Sequence, residues 1–313
     1  MMIVTFEKRH IDTAAQLFAR RMAECSPRDF YGDDLCAPDA WRPSIEWLCG
    51  AGEGIALMDG DTLVGYMLGL PIDAFMGPAP GIYCPEFGHG ASDPSVYPDL
   101  YRAAADRWTA AGHITHAVSV LAGDEPAREG LIWQGFGLHV VDSLLPGLTI
   151  SAGKDTGDHG VMIRLADEGD SDALDRLIQR HWEHLAASPV FLNWEEDDTI
   201  ENWKSREGYY AIVAEDETGV RGCMLAVSPD EESSALVRGD GTIGIGVTYV
   251  EESLRGRGVA RRMLAGLLGE ARRRGYTKCA VDFEAGNIEA RRFWLRYFTP
   301  VSLSLLRRIS PRR

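Results

Sequence analysis

The stretch YVEESLRGRGVARRMLAG, Tyr249 to Gly266, joins an apolar, β-branched run to an amphipathic one through Arg-Gly-Arg-Gly. The run it completes, TIGIGVTYV (Thr242–Val250), has the composition of a buried strand. The run it opens spaces Ala260, Met263, Leu264, Leu267, Leu268 and Ala271 by threes and fours, the pattern of a helix with one packed face. Gly256 and Gly258 permit backbone angles and close approaches that a Cβ would block. Successive N–H groups at such a bend converge at the positive end of a helix dipole, which suits a pyrophosphate.

The spacing excludes two common phosphate loops. A P-loop needs Lys-Ser or Lys-Thr after its last glycine, and here Val259-Ala260 follow Gly258; a dinucleotide fingerprint needs a third small residue where Arg261 stands. Arg255-Gly256-Arg257-Gly258-Val259-Ala260 does fit Arg/Gln-x-x-Gly-x-Gly/Ala. Downstream, NIEARRFWLRYFTPV (Asn287–Val301) supplies an Asn, an Ala three residues later, a Phe-aromatic pair and a last strand. On these two motifs residues 161–309 resemble the GNAT superfamily of acyl-CoA-dependent N-acyltransferases.

The resemblance implies a set of donor contacts. The backbone of Arg255, Gly256, Arg257, Gly258, Val259 and Ala260 would hold the CoA pyrophosphate, and backbone groups of Thr248, Tyr249 and Val250 the pantetheine arm. Asn287, with the helix it opens, and Phe293 would border that arm. Arg261 and Arg262 could reach the 3'-phosphate. The donor is acetyl-CoA or another short acyl-CoA, with direct transfer to an amine and no metal. A backbone N–H near Thr248 would stabilise the thioester oxyanion, and placing the amine beside the carbonyl would supply most of the acceleration.

Acid and base are less legible. Many relatives place a tyrosine directly after the motif's Phe, whereas here Trp294 follows Phe293. Tyr297, on the same helical face if the helix continues, is the substitute acid, and a core aromatic is its bland alternative. Thr242–Val250 carries no carboxylate. Asp282 and Glu284 share one face of AVDFEAG and are the candidate bases, against a reading as solvated strand-end acids. His181 and His184, on the first helix of the second half, are further candidates. The acidic run Trp194–Asp198 would draw in a cationic amine, or else open a helix through Asp198-Thr-Ile-Glu201.

The order strand, helix, hairpin, strand, helix, strand appears twice, on either side of the polar SAGKDTGDHG, residues 151–160. This predicts domains at 1–150 and 161–313 around a linker. The expected fold class is α+β: two tandem GNAT-like domains, each a mixed, mostly antiparallel central sheet flanked by helices. The first half resembles the family through LIWQGFGLHVV, but its loop fails. After Gly88 and Gly90 come Asp93 and Pro94, and Asp124 stands in the place of Asn287. The expectation is a degenerate first half without a cofactor site.

A net charge of −15 over 313 residues argues against nucleic acid or an anionic membrane as partner. Six cysteines without a C-x-x-C pair read as reduced thiols, and no apolar run approaches a membrane span, so the expected location is cytoplasmic. The expected partners are acyl-CoA and a small amine acceptor. A protein N-terminus or lysine as acceptor and a non-catalytic acyl-CoA sensor are the alternatives, and no residue pattern sets the oligomeric state.

Overall fold

Polar turns and apolar runs alternate in the same order twice. The computed structural model describes residues 1–26, 30–31, 33–151, 160–192, 198–231 and 233–310. The first pass gives β1 (Met2–Thr5), α1 (Ile11–Cys25), α2 (Pro38–Ala51), β2 (Glu53–Asp59), β3 (Thr62–Ile72), β4 (Gly81–Cys84), β5 (His89–Ala91), α3 (Tyr97–Ala110), β6 (Thr115–Leu121), α4 (Glu125–Trp133) and β7 (Gly137–Pro146). The second gives β8 (Met162–Leu165), α5 (Ser171–Ala186), α6 (Ile200–Lys204), β9 (Tyr210–Asp216), β10 (Gly219–Val227), β11 (Thr242–Val250), α7 (Val259–Arg273), β12 (Lys278–Glu284), α8 (Ile288–Trp294) and β13 (Thr299–Arg308).

Local chemistry accounts for these elements. Asp59 pairs with Thr62 across a turn whose Gly60 sits at φ +58, a left-handed angle that glycine adopts without strain. In the other hairpin Asp216 pairs with Gly219, and Asp216 Oδ1 accepts from Thr218 N (2.8 Å) and Oγ1 (2.6 Å), closing the turn. Leu174, Leu177 and Ile178 of α5 join Ile200 and Trp203 of α6 against Val213, Cys223, Leu225 and Val247, forming the core on one face of the second sheet. The apolar stripe of α7 covers the other face: Met263, Leu264, Leu267, Leu268 and Ala271 are all buried. Tyr210 of β9 donates its hydroxyl there to Leu267 O (3.2 Å). Each such side chain contributes roughly 1.5–3 kcal/mol on burial.

The chain forms two compact units, Met1–Val141 with Pro300–Arg313, and Asp142–Thr299. The first sheet runs β1-β2-β3-β4-β6-β13, with β5 on β3; the second runs β7-β12-β11-β10-β9-β8. Their parallel pairs are β4 with β6 and β11 with β12. Both units are mixed, mostly antiparallel sheets flanked by helices, as expected. The unit boundaries differ from those drawn on the sequence at 150 and 161, because the last strand of each half is exchanged. β13 pairs antiparallel with β6 from Ser302↔Leu121 to Arg308↔Thr115, while β7 lies beside β12. Tertiary contacts select the partner of β13: Ser304 Oγ lies 2.7 Å from Ser119 Oγ, and the Arg307 guanidinium stands 5.7 Å from the Tyr101 ring centre. Residues 152–159 of the expected linker lie outside the described residues.

One consequence of this packing concerns acid. His116 on β6 is fully buried, its Nδ1 2.9 Å from Tyr101 Oη and its Nε2 3.1 Å from His113 O. Burial first, then the Arg307 and His113 charges, lower its pKa to about 4, against the bond to His113 O. A histidine depressed on folding binds its proton more tightly when unfolded. Its stabilisation is therefore complete above pH 6.5 and is lost as pH falls toward 4. The full shift is worth at most about 3 kcal/mol. Urea unfolding at pH 7 and pH 4.5 should show a steeper loss for the wild type than for His116→Asn, and equal slopes would refute the assignment.

Candidate active site

The second sheet opens in its middle. β11 and β12 pair in parallel from Thr242↔Lys278 to Ile245↔Val281, and both strands continue past the end of that ladder. At the same point the register of β11 against β10 slips: Ala226 faces Ile245 and Met224 faces Thr248, so β11 carries one extra residue. A bulge of this kind bends its strand and increases its twist, which turns Thr248–Val250 away from β12.

The glycine loop stands at the mouth of this opening. Gly256 has φ +72 and Gly258 φ +79, both left-handed, and Gly258 is the N-cap of α7 with no side chain capping the helix. The first amide of α7 to reach a carbonyl of its own helix is that of Arg262, bonded to Gly258 O (3.1 Å), so the amides before it point out of the helix end. Arg255 folds back on the strand: its Nε donates to Val250 O (2.9 Å), and its guanidinium lies 5.3 Å from the centre of the Tyr249 ring. Arg262 Nη2 donates to Val161 O (2.9 Å).

On the far side of the opening, Asn287 is buried and caps α8, its Oδ1 accepting from Ala290 N (3.1 Å). Phe293 stacks edge-on against Tyr297 with ring centres 5.4 Å apart, so the two share a face although the helix has already ended at Trp294. Tyr297 is half-buried, while Trp294 is buried against Phe298.

Asp282 and Glu284 lie on the opposite face. Gly244 pairs with Ala280, and alternation places Asp282 and Glu284 on the face of Ala280. That face is the α6 side, because a Cβ added to Gly246 would collide with the Trp203 indole. Gly246 is exposed despite its place in a central strand, so the glycines leave a trough beside the carboxylates. Both carboxyls are raised above the usual range, first by desolvation and then by a neighbouring charge, Asp230 for Asp282 and Asp282 for Glu284. Solvent still reaches Asp282.

The wall above the trough was not legible in the sequence. Asp198 Oδ2 accepts from the indole N–H of both Trp182 (2.8 Å) and Trp203 (3.0 Å), and Arg206 lies over Trp203, 4.6 Å from the ring centre. The expected helix start at Asp198 is corrected accordingly: Thr199 is the N-cap, and Asp175 of α5 takes the Ile200 amide (2.6 Å). Residues 194–197 of the acidic run lie outside the described residues. His181 hydrogen-bonds the backbone of Thr248, and burial followed by the charge of His184 lowers its pKa to about 4, so it is neutral near pH 7.

The corresponding place in the first unit is filled by the protein itself. Asp93 accepts from Ser95 N (2.9 Å), which puts a carboxylate on a helix-start amide. Asp124 caps α4 through Ala127 N (3.1 Å), as Asn287 caps α8, but Arg21 clamps both its oxygens at 2.7 and 3.0 Å. His89 bridges Ser119 O (2.8 Å) and Tyr97 Oη (2.9 Å), and a Cβ at Gly123 would collide with Cys25 O.

Two sheets of this order, one opened at its parallel pair beside a glycine loop, make a tandem GNAT fold. Residues 173–298, within the second unit, match the acetyltransferase (GNAT) family. A GCN5-related N-acetyltransferase from Sphaerobacter thermophilus is similar over 99% of this chain and 96% of its own, at 14% identity and a TM-score of 0.59. A GNAT-family acetyltransferase from Colwellia psychrerythraea is similar over 99% of this chain and 100% of its own, at 12% and 0.50. The glucosamine N-acetyltransferase region of a fungal multi-domain β-N-acetylglucosaminidase is similar over 97% of this chain, at 14% and 0.57; this chain spans 38% of that protein. At such identities the likeness is one of fold. No curated protein sequence matches this one. Among the described residues no helix is long and apolar enough to cross a membrane, and no group of His, Cys, Asp or Glu is placed to hold a metal ion.

Proposed function

We propose that the second unit moves an acetyl, or another short acyl, group from acyl-CoA directly to a primary amine of a small molecule. The observation that carries this reading is the uncapped N-terminus of α7, with Gly258 at φ +79, at the end of a strand that has parted from its neighbour. In this reading the Gly256–Ala260 amides hold the pyrophosphate, and Thr248, Tyr249 and Val250 offer backbone groups to the pantetheine arm. Phe293 and the amide nitrogen of Asn287 line its other side. The donor supplies a thioester; the amine nitrogen bonds its carbonyl carbon and the C–S bond breaks.

The amine arrives as an ammonium and must lose a proton. Asp282 and Glu284, raised first by desolvation and then by the charge of Asp230 on Asp282 and of Asp282 on Glu284, are better matched to that task than ordinary carboxylates. Tyr297 returns a proton to the departing thiolate. Tyr297→Phe should then lower kcat by about 10²-fold and leave the Kd for acetyl-CoA unchanged, because only the transition state uses the hydroxyl. An unchanged kcat would make Tyr297 a core aromatic. The first unit, with Asp93 and Arg21–Asp124 in the places a cofactor would need, binds no CoA in this reading, so calorimetry should give one site per chain.

A thiol-release assay with acetyl-CoA across a panel of small amines tests the proposal. Turnover of at least one amine is expected. Acetyl-CoA binding without turnover of any amine would favour an acyl-CoA sensor, a reading kept open by the buried Trp294 where many relatives carry a tyrosine.

A further inference from the structure

Between the bulge and the end of β11 the Thr248 hydroxyl is buried, and its Oγ1 has no hydrogen-bond partner among the described residues. A sheet interior favours valine at such a position, as at Val247 and Val250, and an unsatisfied buried hydroxyl is destabilising. The register fixes where it points. Thr248 pairs with Met224, and Val250 with Gly222. Cys223 and Leu225 belong to the core under α5 and α6, so Met224 and Thr248 face the other way. Gly222 confirms this, since a Cβ there would sit 3.4 Å from Met263 Sδ of α7. The hydroxyl therefore lies on the α7 side, beyond the last β11–β12 pair, on the face from which the glycine loop opens. Its backbone is held from α5 by the hydrogen bond to His181.

We propose that the Thr248 hydroxyl donates a hydrogen bond to the acyl carbonyl of bound acyl-CoA. The assignment rests on the proposed function, in which the pyrophosphate sits at Gly256–Ala260 and the arm runs back along β11. Of the three strand residues offered to that arm, Thr248 is the farthest from the loop and so the nearest to the reacting end. A donor fixed there satisfies the orphan oxygen, and its bond strengthens as negative charge gathers on the carbonyl oxygen. The hydroxyl keeps its proton throughout.

Calorimetry with acetyl-CoA and with CoA, which lacks the carbonyl, separates this role from a structural one. Thr248→Val should raise the Kd for acetyl-CoA about tenfold, the factor one modest hydrogen bond carries, and leave the Kd for CoA within about twofold. Thr248→Ser should restore acetyl-CoA binding. The ligand-free valine variant should melt no lower than the wild type, because it removes an unsatisfied group. An unchanged Kd for acetyl-CoA in the valine variant, or equal losses for both ligands, would overturn the proposal while leaving the pyrophosphate site standing. A wild type that binds neither ligand would overturn the function on which it rests.

Discussion

Gly258→Asp is expected to weaken acetyl-CoA binding more than about 100-fold, a loss of roughly 3 kcal/mol or more. Two effects add. The carboxylate would stand at the open helix end, where the dipole and the free amides favour an anion, and would compete with the pyrophosphate for the same groups. The φ of +79 also disfavours any side chain, at roughly 1–2 kcal/mol for a residue other than glycine and less for Asn or Asp. Gly258→Asn separates the two, since it tolerates the left-handed angle, matches aspartate in size and lacks the charge. It should keep most of the affinity. Calorimetry on both variants, with thermal unfolding as the control for folding, reads the difference. Wild-type affinity in the aspartate variant would remove the pyrophosphate site and with it the acyltransferase reading.

The second large effect concerns where the second unit begins and ends. A fragment of residues 155–313, the natural cut on sequence grounds, lacks β7, which lies beside β12, and keeps β13, whose partner β6 it has discarded. It exposes one edge of β12 and strands the apolar side chains of Val301, Leu303 and Leu305, all buried in the whole chain. Leu144 and Leu145 of β7 are lost as well. At roughly 1.5–3 kcal/mol for each buried aliphatic side chain, the deficit rivals the roughly 5–15 kcal/mol that hold a domain folded. The fragment should aggregate or unfold without cooperativity. Residues 137–299 contain every strand of the second sheet and should be soluble and bind acetyl-CoA as the full chain does. Expression of both, followed by calorimetry, decides the matter. A cooperative 155–313 fragment with full affinity would show that the exchanged strands are dispensable.

Much of the architecture follows from local pattern. The three-and-four spacing of Met263, Leu264, Leu267 and Leu268 sets the buried face of α7, and Asp216 with Thr218 sets a hairpin turn, because those choices involve neighbours in sequence. The glycine loop was legible for the same reason: two glycines between a β-branched strand and an amphipathic helix leave few conformations other than an open helix end. The bond from Ser95 N to Asp93 is local in the same way, because a carboxylate two residues before an amide tends to bond it.

What the sequence left open are choices among distant partners of equal local merit. β7 and β13 are both ten-residue strands, and nothing in either states which sheet it completes. Contacts such as Ser304 with Ser119 and Arg307 with Tyr101 decide that, across separations no local pattern encodes. The trough under Trp203 depends likewise on Gly246 meeting an indole from another element, and on Asp198 bonding two indoles instead of capping its own helix. The reach of the Thr248 hydroxyl depends on a one-residue bulge, which changes the face of a side chain without altering the composition of the strand. By itself the sequence determined the elements, the loop and the resemblance to a family; the pairing of the last strands, the facing of the strand residues and the surroundings of each charge were decided only when the chain closed on itself.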